Sequence, residues 1–372
     1  IMLFYKPEIP ILLPDSEKDW ILKKAYSILT KPIPHITDVF AFQSPGTIHD
    51  YYSNGDYWWP NPDTADGLPY IRRDGETNPG NFNDHRLLLR QMRTNLAFLA
   101  EGYRLTGDET LAARAVMTLQ EFFLDSETYM TPALSYAQAI PGVCDGRGIG
   151  IIDTLHLIDV PFAIETLKDS PHMTPGIYQS LKQWFVRYLG WLLTDPNGVE
   201  EMTQKNNHSV TYFVQAAVFA LFTDNPRIVE FCRESYKKYL LPQMEADGSF
   251  PLELARTKPY NYSTFVLDNM VTLCYLLSTS EDNLWNYALP NGADIQKGVD
   301  FLTPYLLDKS TWSYAKDVMH FDAFPVRMSF MLFAGNLLKR PELVQLYESL
   351  PFETADKEAR RNAAIRMPYL WF

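Results

Sequence analysis

The sequence is poor in cysteine, has no long apolar run and carries fewer positive than negative charges, and each shortage narrows what the chain can do. Its three cysteines, Cys144, Cys232 and Cys274, lie far apart and show no CxxC or Cys/His spacing. They therefore suggest neither a zinc site nor a disulfide framework, and read as small core residues. No HExxH, HxxxH or EF-hand pattern is present, so no catalytic metal and no cofactor is expected. No stretch approaches the roughly 20 consecutive apolar residues of a bilayer span. A charged segment followed by an apolar one is also missing, so any secretory leader is expected to have been removed. With 33 Lys and Arg against 45 Asp and Glu, the formal charge of -12 argues against a general nucleic-acid surface, which needs cations to neutralise phosphates. An anionic ligand in a locally basic cleft stays open. Finally, no Gly/Ser linker or shift in composition separates two domains, so residues 1–372 read as one.

What the chain does contain is apolar periodicity and aromatic rings. The 22 Tyr and 8 Trp exceed what packing a core of this size needs, and rings with a polar tip suit the apolar faces of sugars. From about Asp84 onward, apolar residues recur at i, i+3, i+4 and i+7 on both sides of short breaks such as "TGDE", where Gly107 can close one helix and Asp108 cap the next. The pattern predicts helical hairpins at 152–167 with 176–193, 209–222 with 226–241, 263–277 with 293–307, and 318–338 with 341–350. Hairpins without a consensus repeat predict an all-α, single-domain (α/α)n toroid or incomplete barrel. The segment 44–83 differs: rich in Gly, Pro, Asn and Asp, it reads as a long ordered aromatic loop covering one end of the barrel.

Two polar stretches interrupt the helical pattern, "QKNNHSVTYF" (204–213) and "FPLELARTKPYNYSTF" (250–265). Taken separately, the first is a helix cap and the second a charged turn. Together, in this order, "KNNHS" and "ELARTKPYNYSTF" resemble the alginate lyase superfamily of helical-toroid polysaccharide lyases. The segments "GDYWWPNP", "YIRRDGETNP", "YAQAIPG" and "GRGIGIIDT" extend the resemblance over about Ser44 to Leu277.

That resemblance implies β-elimination on a uronic-acid polymer: C5 loses a proton, the C4–O bond breaks, and an unsaturated uronate remains. Asn207, helped by Asn206 or Arg256, is expected to neutralise the substrate carboxylate and so stabilise the enolate-like transition state. Arg256 is also expected to favour the phenolate of a neighbouring tyrosine. Tyr262 is expected to protonate the leaving oxygen. It would also serve as base when proton and leaving group share a face, as in mannuronate, with His208 as base when they do not, as in guluronate. The spacing from Arg256 to the tyrosine is one residue shorter than in the family pattern, which makes Tyr260 a competitor of Tyr262.

Further candidates for substrate binding are Tyr57, Trp58, Trp59 and Tyr136 for stacking, and His49 in the aromatic loop. Arg72, Arg73 and Arg147 are candidates for further uronate carboxylates, or else structural ion pairs. His156 reads as a satisfied core histidine.

The rival enzyme is a glycoside hydrolase, whose two carboxylates would come from Asp145, Asp153 and Glu253. A non-enzymatic sugar binder would need neither His208 nor Tyr262. Alginate leads as substrate, followed by glucuronan or another glucuronate polymer, with the enzyme a periplasmic or secreted monomer.

Overall fold

The computed structural model describes residues 11–372; the first ten, part of the single domain expected above, lie outside the described residues. Helix α1 (Asp15–Ile28), which the periodicity reading did not mark, buries Ile21, Ala25 and Ile28 and lies against α2 (Asp84–Thr106). Between α2 and α3 (Glu109–Phe123) the expected hairpin forms. Gly107 ends α2 at φ 69°, a left-handed conformation that glycine adopts without a Cβ penalty, and Asp108 caps α3 by accepting from the Thr110 N–H.

A long 3₁₀ segment, Gly148–Ile158, runs into α4 (Asp159–Leu167) and is followed by α5 (Pro175–Thr194) and α6 (Pro196–Met202). Next come α7 (Asn207–Phe222) with α8 (Pro226–Ser235), and α9 (Pro251–Leu254) leading into α10 (Pro259–Leu277) with α11 (Ile295–Leu307). The chain ends with α12 (Ser329–Leu337) against α13 (Pro341–Ser349), then α14 (Lys357–Asn362). The inner helices pass contacts round the ring: α2 touches α4, the 3₁₀ segment touches α7, α7 touches α10, and α10 touches α12. The C-terminal turn Pro368–Trp371 packs on α2 and α4, with the Trp371 ring stacked 3.8 Å from Phe162. The result is the all-α, single-domain α/α toroid that the hairpin pattern predicts.

Inner and outer helices differ as their surroundings demand. Every residue of α7 except His208 is buried, and α10 is buried on all faces, so both are apolar nearly all round. Outer helix α8 buries only Val229, Cys232 and Ser235, a single stripe.

Two expectations needed correction. The stretch 318–328 holds only a 3₁₀ turn at Phe321–Ala323 and α12 begins only at Ser329, because Pro325 disfavours helix at Phe324, which is extended at φ -98°, ψ 153°. The aromatic loop also carries strands: β1 (Tyr52–Asn54), β2 (Trp58–Trp59) and β3 (Ile71–Arg72). β1 pairs in parallel with β4 (Tyr136–Ala139), and β2 pairs antiparallel with β3. Strands this short cannot show a period of two in the sequence.

Candidate active site

A cleft of about 660 Å³ opens where the aromatic loop meets the N-terminal ends of α7 and α10. At the start of α7, Asn206 is the helix cap and accepts from the His208 N–H at 3.1 Å, so the cap reading holds for this residue, which also lines the cleft. Asn207 is held by a different contact. Its backbone N–H donates to Glu253 on α9 at 2.7 Å, and its side-chain amide lies 3.0 and 3.1 Å from the two oxygens of the same carboxylate. Burial pushes the Glu253 carboxyl up, and the Asn207 donors pull it back.

His208 is the one α7 side chain left partly open. Its Nδ1 lies 2.9 and 3.1 Å from the two oxygens of Glu201, a fully buried carboxylate on α6. An acceptor at Nδ1 draws the neutral ring's proton there, so that Nε2, which has no partner among the described residues, keeps its lone pair.

Tyr262, one turn into α10, donates to the Tyr57 hydroxyl at 2.8 Å. The Arg256 guanidinium stacks on the Tyr262 ring at 3.9 Å, and the buried Lys258 ammonium lies 5.4 Å from this ring and 5.2 Å from that of Tyr57. Burial and Tyr57 push the Tyr262 phenol well above its ordinary value; Arg256 pulls the other way, as expected of it, but is outweighed. Asp74 ties the arginines down, accepting from Arg256 and from Arg72 at 2.8 Å each. Against burial, those two cations hold its carboxyl below the ordinary range.

Among the other candidates, Tyr57, Trp58, Arg72 and Arg147 line this cleft. Arg147 bonds Gln138 twice, at 3.0 Å each, and lies 5.6 Å over the Trp58 ring. Trp59, Arg73, His49, Tyr136 and Tyr260 lie outside the lining. The Trp59 indole donates to the Glu76 carbonyl, and its ring is covered by Arg73, itself paired with Glu76. His49 stacks on Tyr129 at 3.9 Å with Nδ1 at that residue's carbonyl. Tyr136 sits in β4 against Gly46, where a Cβ would collide with its ring. Tyr260 is fully buried, donates to the Tyr305 carbonyl and packs edge-on to Trp312.

The carboxylates offered for hydrolysis are engaged or elsewhere. Asp153 accepts from Tyr51, Ser53, Arg86 and Gln138, Glu253 is bound to Asn207, and Asp145 is not part of the lining. His156, expected as a satisfied core histidine, is buried but leaves Nδ1 without a partner. The sequence reading leaves out Glu201 and Asp74 and gives Lys258 no role beyond the charged turn, since each gains its meaning from a partner on another element.

The comparisons agree with this architecture. The alginate lyase family model matches residues 38–312. An alginate lyase from Bacteroides ovatus superposes with a TM-score of 0.81 at 31% identity, over 94% of this chain and 92% of that one. Alginate lyase A1-III from Sphingomonas species A1 superposes at 0.58 with 16% identity, over 90% of each chain. A histidine-to-alanine variant of alginate lyase A1-III, complexed with a tetrasaccharide, gives 0.60 and 15%, over 92% of this chain and 91% of that one. Among curated protein sequences, none matches. Family match and close structural relative together place this chain in the alginate lyase family of polysaccharide lyases.

Proposed function

We propose that this lyase cleaves alginate by β-elimination in the cleft described above. The observation that carries the reading is the pairing of His208 with the buried Glu201 on one side of the cleft mouth and the protonated Tyr262 on another element of the same cleft. His208 Nε2 takes the C5 proton, the electron pair forms the C4–C5 double bond, and the C4–O bond breaks as the Tyr262 phenol gives its proton to the leaving oxygen. A phenol pushed up by burial keeps its proton until the leaving oxygen needs it, which favours Tyr262 as acid and His208 as base. Asn207, fixed by Glu253, and Arg256, fixed by Asp74, supply the donors that face the substrate carboxylate as charge builds beside C5.

The bound tetrasaccharide in a distant relative supports an oligosaccharide-sized cleft. A polymer this large is met in the periplasm or outside the cell, and the enzyme is proposed to act there as a monomer. Glucuronan is the alternative substrate, since it offers the same carboxylate beside C5.

The test is ultraviolet absorbance with polymannuronate, polyguluronate and glucuronan supplied separately. A rising signal from the conjugated double bond on either alginate block is the expected result. New reducing ends without absorbance would replace elimination by hydrolysis, and response to glucuronan alone would transfer the substrate.

A further inference from the structure

A second cavity, of about 190 Å³, lies where α1, the turn before α12, α13 and the segment around α14 come together, and it shares no lining residue with the cleft. Its lining comes from Glu17, Trp20 and the stretch 323–369, all outside residues 38–312 that the family model matches. The motifs that carry the family likeness take no part in it.

One wall is aromatic. Trp20 and Phe352, both partly exposed, meet with ring centroids 5.2 Å apart at a tilt of 34°. The polar wall sets three arginines, Arg327, Arg360 and Arg366, against two carboxylates, Glu17 and Glu353. Glu17 is taken by Arg327 at 2.6 Å and by the Tyr369 hydroxyl at 2.8 Å. Glu353 alone then faces Arg366 at 3.2 Å, Lys24 at 3.3 Å and Arg360 at 3.6 Å, and against burial these cations hold its carboxyl below the ordinary range. The next carboxylate, Asp159, is engaged by Arg93, the Trp371 indole and the Arg366 backbone N–H. Positive charge is therefore in excess here, and Arg366 is the least satisfied of its carriers. Its Nη2 donates to Glu353, its Nε has no partner, and its Nη1 makes no hydrogen bond among the described residues. Burial pulls this guanidinium down and the neighbouring Arg360 adds to the effect, with Glu353 opposing.

We infer that this cavity binds one hexuronate ring, with its carboxylate at Arg366 and Arg360 and its apolar face on Trp20 and Phe352. A cavity of roughly 150 Å³ is enough for benzene, so the volume suits one six-membered ring and not a length of chain. Inorganic phosphate would leave the aromatic wall without a partner, and a neutral sugar would leave the excess charge unbalanced. The Thr354 hydroxyl and the Glu353 carboxylate offer acceptors for ring hydroxyls. The identity of the ring rests on the uronate reading above, and two sources supply it: the free monosaccharide, or the end of a cleaved chain.

Calorimetric titration of mannuronate, guluronate, mannose and inorganic phosphate tests this on the wild-type protein, on Arg366→Gln and on Ala323→Phe, which fills the cavity without removing a charge. At least one uronate should bind, with mannose and phosphate more than ten-fold weaker. Both substitutions should weaken the uronate by about 10- to 100-fold, the range of hydrogen bonds to a charged group, while Ala323→Phe leaves kcat on alginate unchanged. Melting temperature is recorded for each protein, and if Arg366→Gln does not fold, Ala323→Phe decides. An alginate hexasaccharide titrated into the His208→Ala protein separates the sources: a second binding event that Ala323→Phe removes means that chain ends enter, and a single event means that only the free ring does. Absence of uronate binding, phosphate bound as tightly as uronate, or uronate affinity that survives filling the cavity overturns the site. Absorbance on the uronate polymers is read in parallel. Uronate binding lost in Ala323→Phe, with no unsaturated product from any polymer, would sink the lyase reading and leave the site; product without such binding would do the reverse.

Discussion

The phenol of Tyr262 donates a 2.8 Å hydrogen bond to the phenol of Tyr57, a residue 205 positions earlier in the chain. The aromatic loop thus holds the hydroxyl assigned as the acid, and it also helps to keep that hydroxyl protonated. Tyr262→Phe should therefore lower kcat by about 10²- to 10⁴-fold with oligosaccharide affinity retained, the range general acid catalysis supplies. Tyr57→Phe removes only the acceptor and should cost about ten-fold. Steady-state absorbance and calorimetric titration separate the two quantities, and a Tyr262→Phe enzyme at full speed would remove Tyr262 from the mechanism.

Glu201 makes a comparable demand on His208. Its carboxylate can only accept, so a neutral imidazole places its proton on Nδ1. Glu201→Gln offers an N–H at the same place and favours the opposite tautomer, which spoils the base. The expected result is a fall in kcat of about 10²-fold, with KM changed far less. Parallel loss of binding and melting temperature would show instead that Glu201 only supports the fold.

Much of this arrangement was legible in the sequence, for local reasons. Gly107 and Asp108 announce a hairpin because helix ends have particular chemical needs, and the polar run at 206–208 stands out before a helix that is otherwise apolar. The order of the two motifs gave the family. What remained hidden depends on how separate elements meet. Glu201 lies in the last turn of α6, and that it faces His208 follows from how α6 meets α7. Arg90 shares α2 with Arg86 and Arg93, both of which find carboxylates, and nothing local distinguishes the one that does not. Tyr260 and Tyr262 are equivalent in composition. Their separation into core and cleft is a matter of helical rotation, which a spacing off by one residue obscures.

The Asn207–Glu253 contact couples the site to stability. Replacing Asn207 by Ala removes the side-chain amide and leaves the buried carboxylate only the backbone N–H of that position, which should cost about 1–3 kcal/mol as well as most of the activity. Glu253→Gln turns an amide donor toward the Asn207 donors and should lower both melting temperature and kcat. Thermal unfolding beside turnover checks this, and an Asn207→Ala protein of unchanged melting temperature would mean that the contact contributes nothing to the fold.

A last prediction concerns Asp268, midway along α10 and outside the chemistry. Burial pushes its carboxyl up to about 7, even though the Phe330 N–H and the Ser329 hydroxyl donate to Oδ1 at 2.9 and 3.1 Å; Oδ2 has no partner. An unfolded aspartate titrates near 4 by ordinary values, about three units lower. Between those values the folded chain holds a proton that the unfolded chain has released, so this group's contribution favours folding below about pH 4 and is lost progressively as pH rises toward 7. Carboxylates held low by cations, such as Asp74 and Glu353, act in the opposite sense and are lost only in acid. The two effects therefore occupy different pH windows and can be told apart. Melting temperature should decline from about pH 4 to about pH 7 in the wild-type protein, the interval in which the folded chain keeps an Asp268 proton that the unfolded chain has released. Asp268→Asn keeps an Oδ1 acceptor and cannot ionise, so it should flatten that decline and melt a few degrees higher at the alkaline end. Equal slopes in the two proteins would show that Asp268 is not the source of the dependence.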